Sequence, residues 1–122
     1  MQIFNFKQEV GTKITHFDSN FVMSRILNTQ GSVHIGCMHL EIDGVIGYHQ
    51  ATVSQLLLIV EGEGEVRGEE DRFIRVTKGD AVFWEAREWH ETKTECGLTA
   101  IVIEGKNINP TSLMPKKGGG IL

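Results

Sequence analysis

Five histidines are the residues of this chain best suited to acid–base or metal chemistry. They are His16, His34, His39, His49 and His90. An imidazole titrates near neutral pH and binds divalent metals through a ring nitrogen, so its surroundings decide its use. The chain contains no HExxH or CxxC pattern, no GxSxG elbow and no phosphate loop. Because these motifs are absent, the sequence gives no support to a metalloprotease, a hydrolase with a nucleophile elbow or a P-loop enzyme.

Two of the histidines lie in stretches that begin with glycine. His49 lies between Gly44 and Gly62, and His90 lies between Gly79 and Thr94. Together the two stretches resemble the two motifs of the cupin superfamily. The first family motif is a glycine, a His-x-His pair, a glutamate and a closing glycine, and the second runs glycine, proline, glycine, histidine, asparagine. The resemblance covers about residues 44–94, and the flanking segments fit only in the number and length of their strands.

The resemblance can be followed position by position. His49 matches the first histidine of the pair, Ala51 stands at the second, Gln55 at the glutamate and His90 at the last histidine. The glycines that match are Gly44 (separated from His49 by four residues, where the family usually has five), Gly62 and Gly79. The other second-motif positions differ: Glu85 replaces the proline, Arg87 the glycine and Thr94 the asparagine.

The resemblance implies an all-β fold, a double-stranded β-helix or jelly-roll barrel, with a metal shell inside. Alternate residues of a strand share a face, so His-x-His directs two imidazoles inward. With a carboxylate and a third histidine they suit Fe, Mn, Ni or Zn as divalent ions. Here the implied metal ligands are His49, Gln55 and His90, because Ala51 cannot donate and Gln55 offers only a neutral amide oxygen. We expect one divalent metal ion or a metal-free site.

Other residues could belong to the same site. His34 or His39 could join the shell, but they are five residues apart, so only one of them can face inward in a regular strand. Tyr48, Ala51 and Trp89 are candidates to line the pocket because they adjoin the motif histidines. Glu85 and Arg87 could pair with each other, bind a polar ligand or remain solvated.

Three functions are compatible with these residues. We expect a small cupin-like barrel whose central pocket binds a small molecule without chemistry, as a sensor or carrier, either with a divalent metal held by His49, Gln55 and His90 or with no metal. The alternative is a metal-dependent dioxygenase or isomerase acting on a small organic substrate. A third is a metal-free enzyme that uses His90 or Glu85 as general base. The sequence does not decide whether the chain is an enzyme, and the resemblance further implies a homodimer.

The elements that position these residues are predicted to be short strands joined by glycine turns. Apolar and β-branched runs separated by turn residues predict strands at 21–27, 32–42, 55–60, 64–67, 72–76, 81–84 and 98–103. The run 55–60 is apolar on both faces and should be covered on both sides. We find no amphipathic helix of four turns or more, and a strand spacing of about ten residues is typical of a sandwich or barrel.

The composition of the whole chain limits its partners and location. The chain has 122 residues, of which 40% are hydrophobic, and a formal charge of −4, which argues against nucleic-acid binding. The longest aliphatic run, 56–60, is too short to cross a membrane, and residues 1–9 lack signal-peptide features. Cys37 and Cys96 read as reduced thiols, so we expect a cytoplasmic protein. One barrel domain is predicted over 1–105, with motifs at 44–62 and 79–94, and a tail over 106–122 that is expected to be flexible at 116–120.

Overall fold

The computed structural model describes residues 1–117, and most of its regular structure is β-strand. Ten strands occur: β1 (Gln2–Asn5), β2 (Thr12–Ile14), β3 (Phe21–Met23), β4 (His34–Leu40), β5 (Val45–Gln50), β6 (Ser54–Arg67), β7 (Ile74–Thr77), β8 (Asp80–Trp84), β9 (Trp89–Lys93) and β10 (Leu98–Gly105). Single 3₁₀ turns occur at Gln8–Val10, His16–Asp18 and Pro110–Ser112. None of the helical segments within 1–117 has the length and apolar character needed to span a bilayer.

The long strand β6 joins the two halves of an antiparallel jelly-roll barrel. Its first half pairs with β8 and β10, and β1 and β4 extend this sheet in the order β1-β8-β6-β10-β4. Its second half pairs with β7 and β9, and β9 also pairs with β5. The strands β2 and β3 form a separate two-stranded sheet. The predicted all-β jelly-roll fold is therefore confirmed.

A glycine lies where β6 passes from one half of the barrel to the other. Gly62 has φ +82°, a conformation that other residues rarely adopt, and a Cβ at this position would collide with the carbonyl oxygen of Gly97. The pairing with β10 shifts beside the same point: Thr99 opposes Glu61 and Ala100 opposes Ile59, so Val60 is an extra residue in β6. The glycine that closes the first motif is thus needed for backbone reasons.

The two faces of β6 bury two hydrophobic clusters. The barrel interior contains Leu57, Ile59, Val66, Val76, Val82, Trp84, Leu98, Ala100 and Val102. The opposite face of the sheet contributes to a second cluster: Phe4, Leu56, Leu58, Ala81, Phe83, Ile108 and Met114. The run 55–60 is therefore covered on both sides, as its sequence predicts.

The C-terminal segment packs on the barrel as far as Lys117. Lys116 forms an antiparallel bridge with Phe4, and the Lys117 ammonium group lies 2.7 Å from the carboxylate of Asp80, which is completely buried. The flexibility expected at 116–120 is therefore wrong for Lys116 and Lys117, because backbone pairing and this ion pair hold them. Residues 118–122 lie outside the described part of the chain.

Several predicted strands differ from the observed ones. The segment 21–27 is extended strand only over Phe21–Met23, and the predicted strands 55–60 and 64–67 are one continuous strand. The two strands that carry the motif histidines, β5 and β9, were not predicted as strands. In β5 five of the six residues are exposed and the pairing is interrupted by a register shift, whereas in β9 buried residues alternate with more accessible ones. Neither strand therefore has the apolar run by which strands were predicted.

Candidate functional site

His49 and His90 lie opposite each other on the neighbouring strands β5 and β9. Their ring centroids are 4.4 Å apart. A register shift between Ile46 and His49 sets this pairing: Ile46 opposes Thr92, and continuous pairing would have placed Tyr48 opposite His90. The irregularity in β5 therefore places His49, rather than Tyr48, on the same face as His90.

The His90 ring is enclosed between two other rings. It lies 4.4 Å from the His49 ring and 4.5 Å from the Trp84 ring, measured between centroids. Only 2% of the residue is exposed, and neither ring nitrogen has a hydrogen-bond partner within residues 1–117. Burial lowers the pKa of His90 to about 4, assisted by the charge of His49 and opposed by Glu88. His90 is therefore a neutral imidazole at physiological pH.

The His49 ring is exposed, and its tautomer follows from its hydrogen bond. Nδ1 lies 2.7 Å from the carbonyl oxygen of Gly47. A carbonyl oxygen only accepts, so Nδ1 carries the hydrogen and donates it. In the neutral ring the lone pair is then on Nε2, which is the nitrogen available to a ligand or a metal.

Gln55 faces the same interior as the two histidines. At the start of β6 it opposes Trp84 on β8 and Glu104 on β10, and it is 8% exposed. Residues directly opposite in an antiparallel pair share a face, so the side chains of Gln55 and Trp84 point into the barrel together. Trp84 also contacts the buried His90 ring, and His90 contacts the exposed His49 ring, so Trp84 links Gln55 to the histidine pair.

Of the three residues predicted to line the pocket, one is buried and two lie on the outer face of the barrel. Ala51 is buried, and its backbone bonds to the turn before β9: its N–H donates to Glu88 O at 2.9 Å, and its carbonyl accepts from Arg87 N at 2.8 Å. Tyr48 and Trp89 stack on each other with centroids 5.3 Å apart, and they are 42% and 40% exposed. They lie on the outer face, so the structure corrects the expectation that they line the pocket. The register shift in β5 explains the position of Tyr48, and Trp89 faces outward because it alternates with the buried His90 along β9.

The structure also separates the remaining candidates. His34 opposes Glu104 at the edge of the barrel sheet, on the face of β4 that carries Met38 and Leu40 toward the interior cluster. His39 is on the other face of β4. Glu85 is exposed, and its backbone N–H donates to the Glu88 carboxylate at 2.8 Å. Of the histidines considered as alternatives, His34 is the one on the interior face.

Two site residues were missed from the sequence, Trp84 and Glu104. Trp84 falls in the predicted strand 81–84 and has no motif position, but it contacts His90 and its indole nitrogen has no hydrogen-bond partner in residues 1–117. Glu104 lies beyond the predicted end of the last strand, which was placed at 103. The alternation in β10, where Leu98, Ala100 and Val102 are buried, would have placed position 104 on the interior face.

The donor atoms available for a metal are few. Within residues 1–117, no group of three or more His, Cys, Asp or Glu side chains is arranged to hold a metal ion. The atoms that remain are the His49 and His90 nitrogens and the amide oxygen of Gln55. The unpartnered nitrogens of His90 are chemically suited to bind a metal, because a buried imidazole without a hydrogen bond is free to act as a ligand. The absence of an anionic ligand from this set indicates a weak site.

The clefts that we identify on the surface lie elsewhere. Four of them have volumes of about 450, 600, 290 and 420 Å³, and none is lined by His49, Gln55 or His90. The Trp84 and His90 rings occupy the interior end between the sheets. Of the two motif histidines, His49 is exposed and His90 is buried.

A comparison with protein families gives one match. The family described as "Cupin domain" matches residues 36–105, more than half of the chain. The matched segment includes both motif histidines, Gln55 and Glu104. No curated protein sequence matches the chain.

Solved structures share the fold at low sequence identity. A cupin superfamily protein from Desulfitobacterium hafniense has a TM-score of 0.58 and 18% identity, over 88% of this chain and 100% of that one. A predicted oxalate decarboxylase from Thermotoga maritima has a TM-score of 0.52 and 19% identity, over 57% of this chain and 62% of that one. A cupin-2 domain containing protein from Shewanella frigidimarina has a TM-score of 0.54 and 13% identity, over 67% of this chain and 78% of that one. The match to the Thermotoga protein covers less than two thirds of its length, and these identities show a common fold alone.

Proposed function

Because this chain belongs to the cupin domain family, we propose that it binds a small polar molecule at the interior end of the barrel, beside His49 and His90. We further propose that a divalent metal ion, when present, is held there by His49, Gln55 and His90. The observation that carries this proposal is the His90 ring, whose two nitrogens are buried without partners. A buried polar atom left unsatisfied costs about 1–3 kcal/mol, and a ligand or metal at this position would recover that free energy.

The chain's own residues would provide a neutral and partly desolvated binding site. The Gly47 carbonyl fixes the His49 ring, so that Nε2 presents a lone pair. Burial keeps His90 uncharged, so it can accept a hydrogen bond but is a weak base at neutral pH. Gln55 adds an amide that can donate or accept. A bound metal would supply Lewis-acid chemistry at this point.

The test is calorimetric titration of chelator-treated protein with Zn²⁺, Ni²⁺ and Mn²⁺. We expect one equivalent to bind, and we expect His90→Ala to weaken binding at least about tenfold, with His39→Ala on the outer face of β4 as the matched control. Gln55→Glu should tighten binding at least about tenfold, because it adds the anionic oxygen that the shell lacks. No binding by either the wild-type protein or Gln55→Glu would reject the metal site.

The ligand site is tested separately from the metal. A thermal-shift screen of metal-free protein against small acids, amines, sugars and phenols should raise the unfolding midpoint with some compound. The same compound should have no effect on His90→Ala, whereas His39→Ala should respond as the wild-type protein does. A compound that stabilises wild-type and His90→Ala protein equally would bind elsewhere and would contradict the proposed location.

The catalytic alternatives remain predictions. A metal-dependent dioxygenase or isomerase would require the metal to bind first. The description of the Thermotoga protein as a predicted oxalate decarboxylase applies to that protein and not to this chain. Metal-free general-base catalysis is disfavoured for His90 by its lowered pKa, and for Glu85 by its exposed position in the turn. The cytoplasmic location also stays a prediction.

We also propose that the chain pairs with a second copy of itself. Strand β4 is at the edge of the barrel sheet, and its Ile35 side chain is 65% exposed. An unpaired strand edge with exposed apolar side chains is a surface that proteins usually cover.

A further inference from the structure

Four residues form a row across the interior face of the barrel sheet. Trp84 on β8 opposes Gln55 on β6, Gln55 opposes Glu104 on β10, and Glu104 opposes His34 on β4. Side chains that are directly opposite in antiparallel strands lie about 4.5–5.5 Å apart at Cβ and share a face. The carboxylate of Glu104 is therefore a neighbour of Gln55, on the side away from Trp84.

Solvent exposure increases along this row. Trp84 is fully buried and Gln55 is 8% exposed, whereas Glu104 is half-buried and His34 is exposed. The histidine pair is at the same end of the barrel, because Trp84 contacts His90. The row thus runs from the enclosed Trp84 indole, which contacts His90, to the exposed His34 on the edge strand, and Glu104 lies between Gln55 and His34.

The Glu104 carboxylate has no hydrogen bond or ion pair with any side chain in residues 1–117. The acidic groups that do make ion pairs there are Glu61, Glu63, Asp71, Asp80, Glu88 and Glu91. A half-buried carboxylate accepts hydrogen bonds and repels other anions. Its neighbours Gln55 and His34 can each add one more polar contact.

We infer that Glu104, with His34 beside it, forms the selective side of the site and favours ligands carrying a protonated amine over ligands carrying a carboxylate. This inference rests on the proposed function, because it concerns a ligand bound at the same end of the barrel. It assigns a role to a residue outside both family motifs. A charge-assisted hydrogen bond to Glu104 would hold the ammonium group, while the remainder of the ligand lies toward His49 and His90.

Three probes that differ in one group test the inference: benzylamine, benzyl alcohol and benzoate. Each is titrated into ¹⁵N-labelled, metal-free protein while the two tryptophan indole N–H signals are followed by NMR. Trp84 reports on the interior, and Trp89, stacked on Tyr48 outside, is the internal control. We expect the Trp84 signal to move, with benzylamine binding at least about tenfold more tightly than benzoate and benzyl alcohol between them.

Substitution of Glu104 tests whether its charge determines which probe binds more tightly, separately from whether the probes bind at all. Glu104→Gln keeps the shape and removes the charge, so benzylamine and benzoate should then bind within about threefold of each other. Glu61→Gln, on the exposed part of β6, is the matched control and should keep the wild-type ratio. Equal affinities in the wild-type protein, or an unchanged ratio in Glu104→Gln, would overturn the inference while leaving the site in place. No movement of the Trp84 signal with any probe would overturn the proposed site as well.

Discussion

At the scale of single residues, His90 is the residue on which the proposed site depends. It matches the last histidine of the family pattern, it is 2% exposed, and its ring nitrogens have no partner within residues 1–117. An apolar side chain of similar size would be easier to bury. Retaining an imidazole here is thus a cost to folding that a binding role would explain.

The lowered pKa of His90 predicts how stability depends on pH. Below pH 6.5 the unfolded chain takes up a proton at His90, while the folded protein does not until its pKa of about 4. The free energy of unfolding should therefore fall as the pH decreases from 6.5 to 4, by about 3 kcal/mol from this residue alone. Urea unfolding of metal-free protein at pH 7, 5.5 and 4 measures this contribution.

The variant His90→Phe distinguishes the contribution of His90 to the pH dependence of stability from that of the carboxylates that titrate in the same range. At pH 7 it should be more stable than the wild-type protein by about 1–3 kcal/mol, since it removes two unsatisfied nitrogens. The difference should widen as the pH falls, while His39→Phe on the outer face of β4 should follow the wild-type curve. If the wild-type and His90→Phe curves were parallel between pH 7 and 4, the lowered pKa would be contradicted.

At the scale of elements, the turn before β9 retains a backbone conformation that glycine adopts easily. Arg87 stands at the second glycine of the family's second motif and has φ +76°. Its backbone is held there: its N–H donates to Ala51 O at 2.8 Å, and its carbonyl accepts from the Gln50 amide at 3.1 Å. Arg87 thus adopts a backbone conformation that glycine would adopt at lower cost.

The positive φ predicts that Arg87→Gly stabilises the protein. A residue with a Cβ in this region costs about 1–2 kcal/mol, and part of the gain is lost to the greater freedom of glycine in the unfolded chain. We expect a net gain of about 0.5–1 kcal/mol in chemical unfolding. Arg87→Ala removes the same side chain but keeps the Cβ, so it should show no gain, and an equal gain in both variants would assign the effect to the charge.

The elements also show how far the sequence could predict the site. The position of Gln55 in a buried strand could be predicted, because the apolar run that follows it in β6 must be covered on both faces. The outward position of Tyr48 could not be predicted, because one register shift in β5 reverses the faces of the residues that follow it. Glu104 was missed because the end of a strand is the least certain part of its prediction, and its neighbours come from strands distant in sequence.

At the scale of the whole molecule, the chain covers one edge of its barrel sheet better than the other. At one edge, β1 pairs with β8, and the C-terminal segment bonds to β1 at Ile3 and Asn5. At the other edge, β4 borders an apolar cleft of about 600 Å³ that Ile35 helps to line. The β3 residues near this cleft are also exposed: Phe21 by 45%, Val22 by 37% and Met23 by 40%.

We propose a second copy of the chain as the occupant of this edge. The strand edge offers backbone groups that another β-strand can pair with, and the cleft beside it offers apolar surface to bury. A twofold axis at the edge would bring the same surface of each copy together, as closed homodimers require. We therefore expect a dimer in solution at micromolar concentration.

The substitution Ile35→Lys tests this dimer. It should shift the mass measured by size-exclusion chromatography with light scattering from two chains toward one, because it places a charge in the apolar contact and lysine on a strand edge opposes pairing. Ile42→Lys is the matched control: Ile42 is 73% exposed in the turn after β4, and its substitution should leave the mass unchanged. A wild-type protein that remains monomeric across the concentration range, or an Ile35→Lys variant that remains dimeric, would place any partner on a different surface.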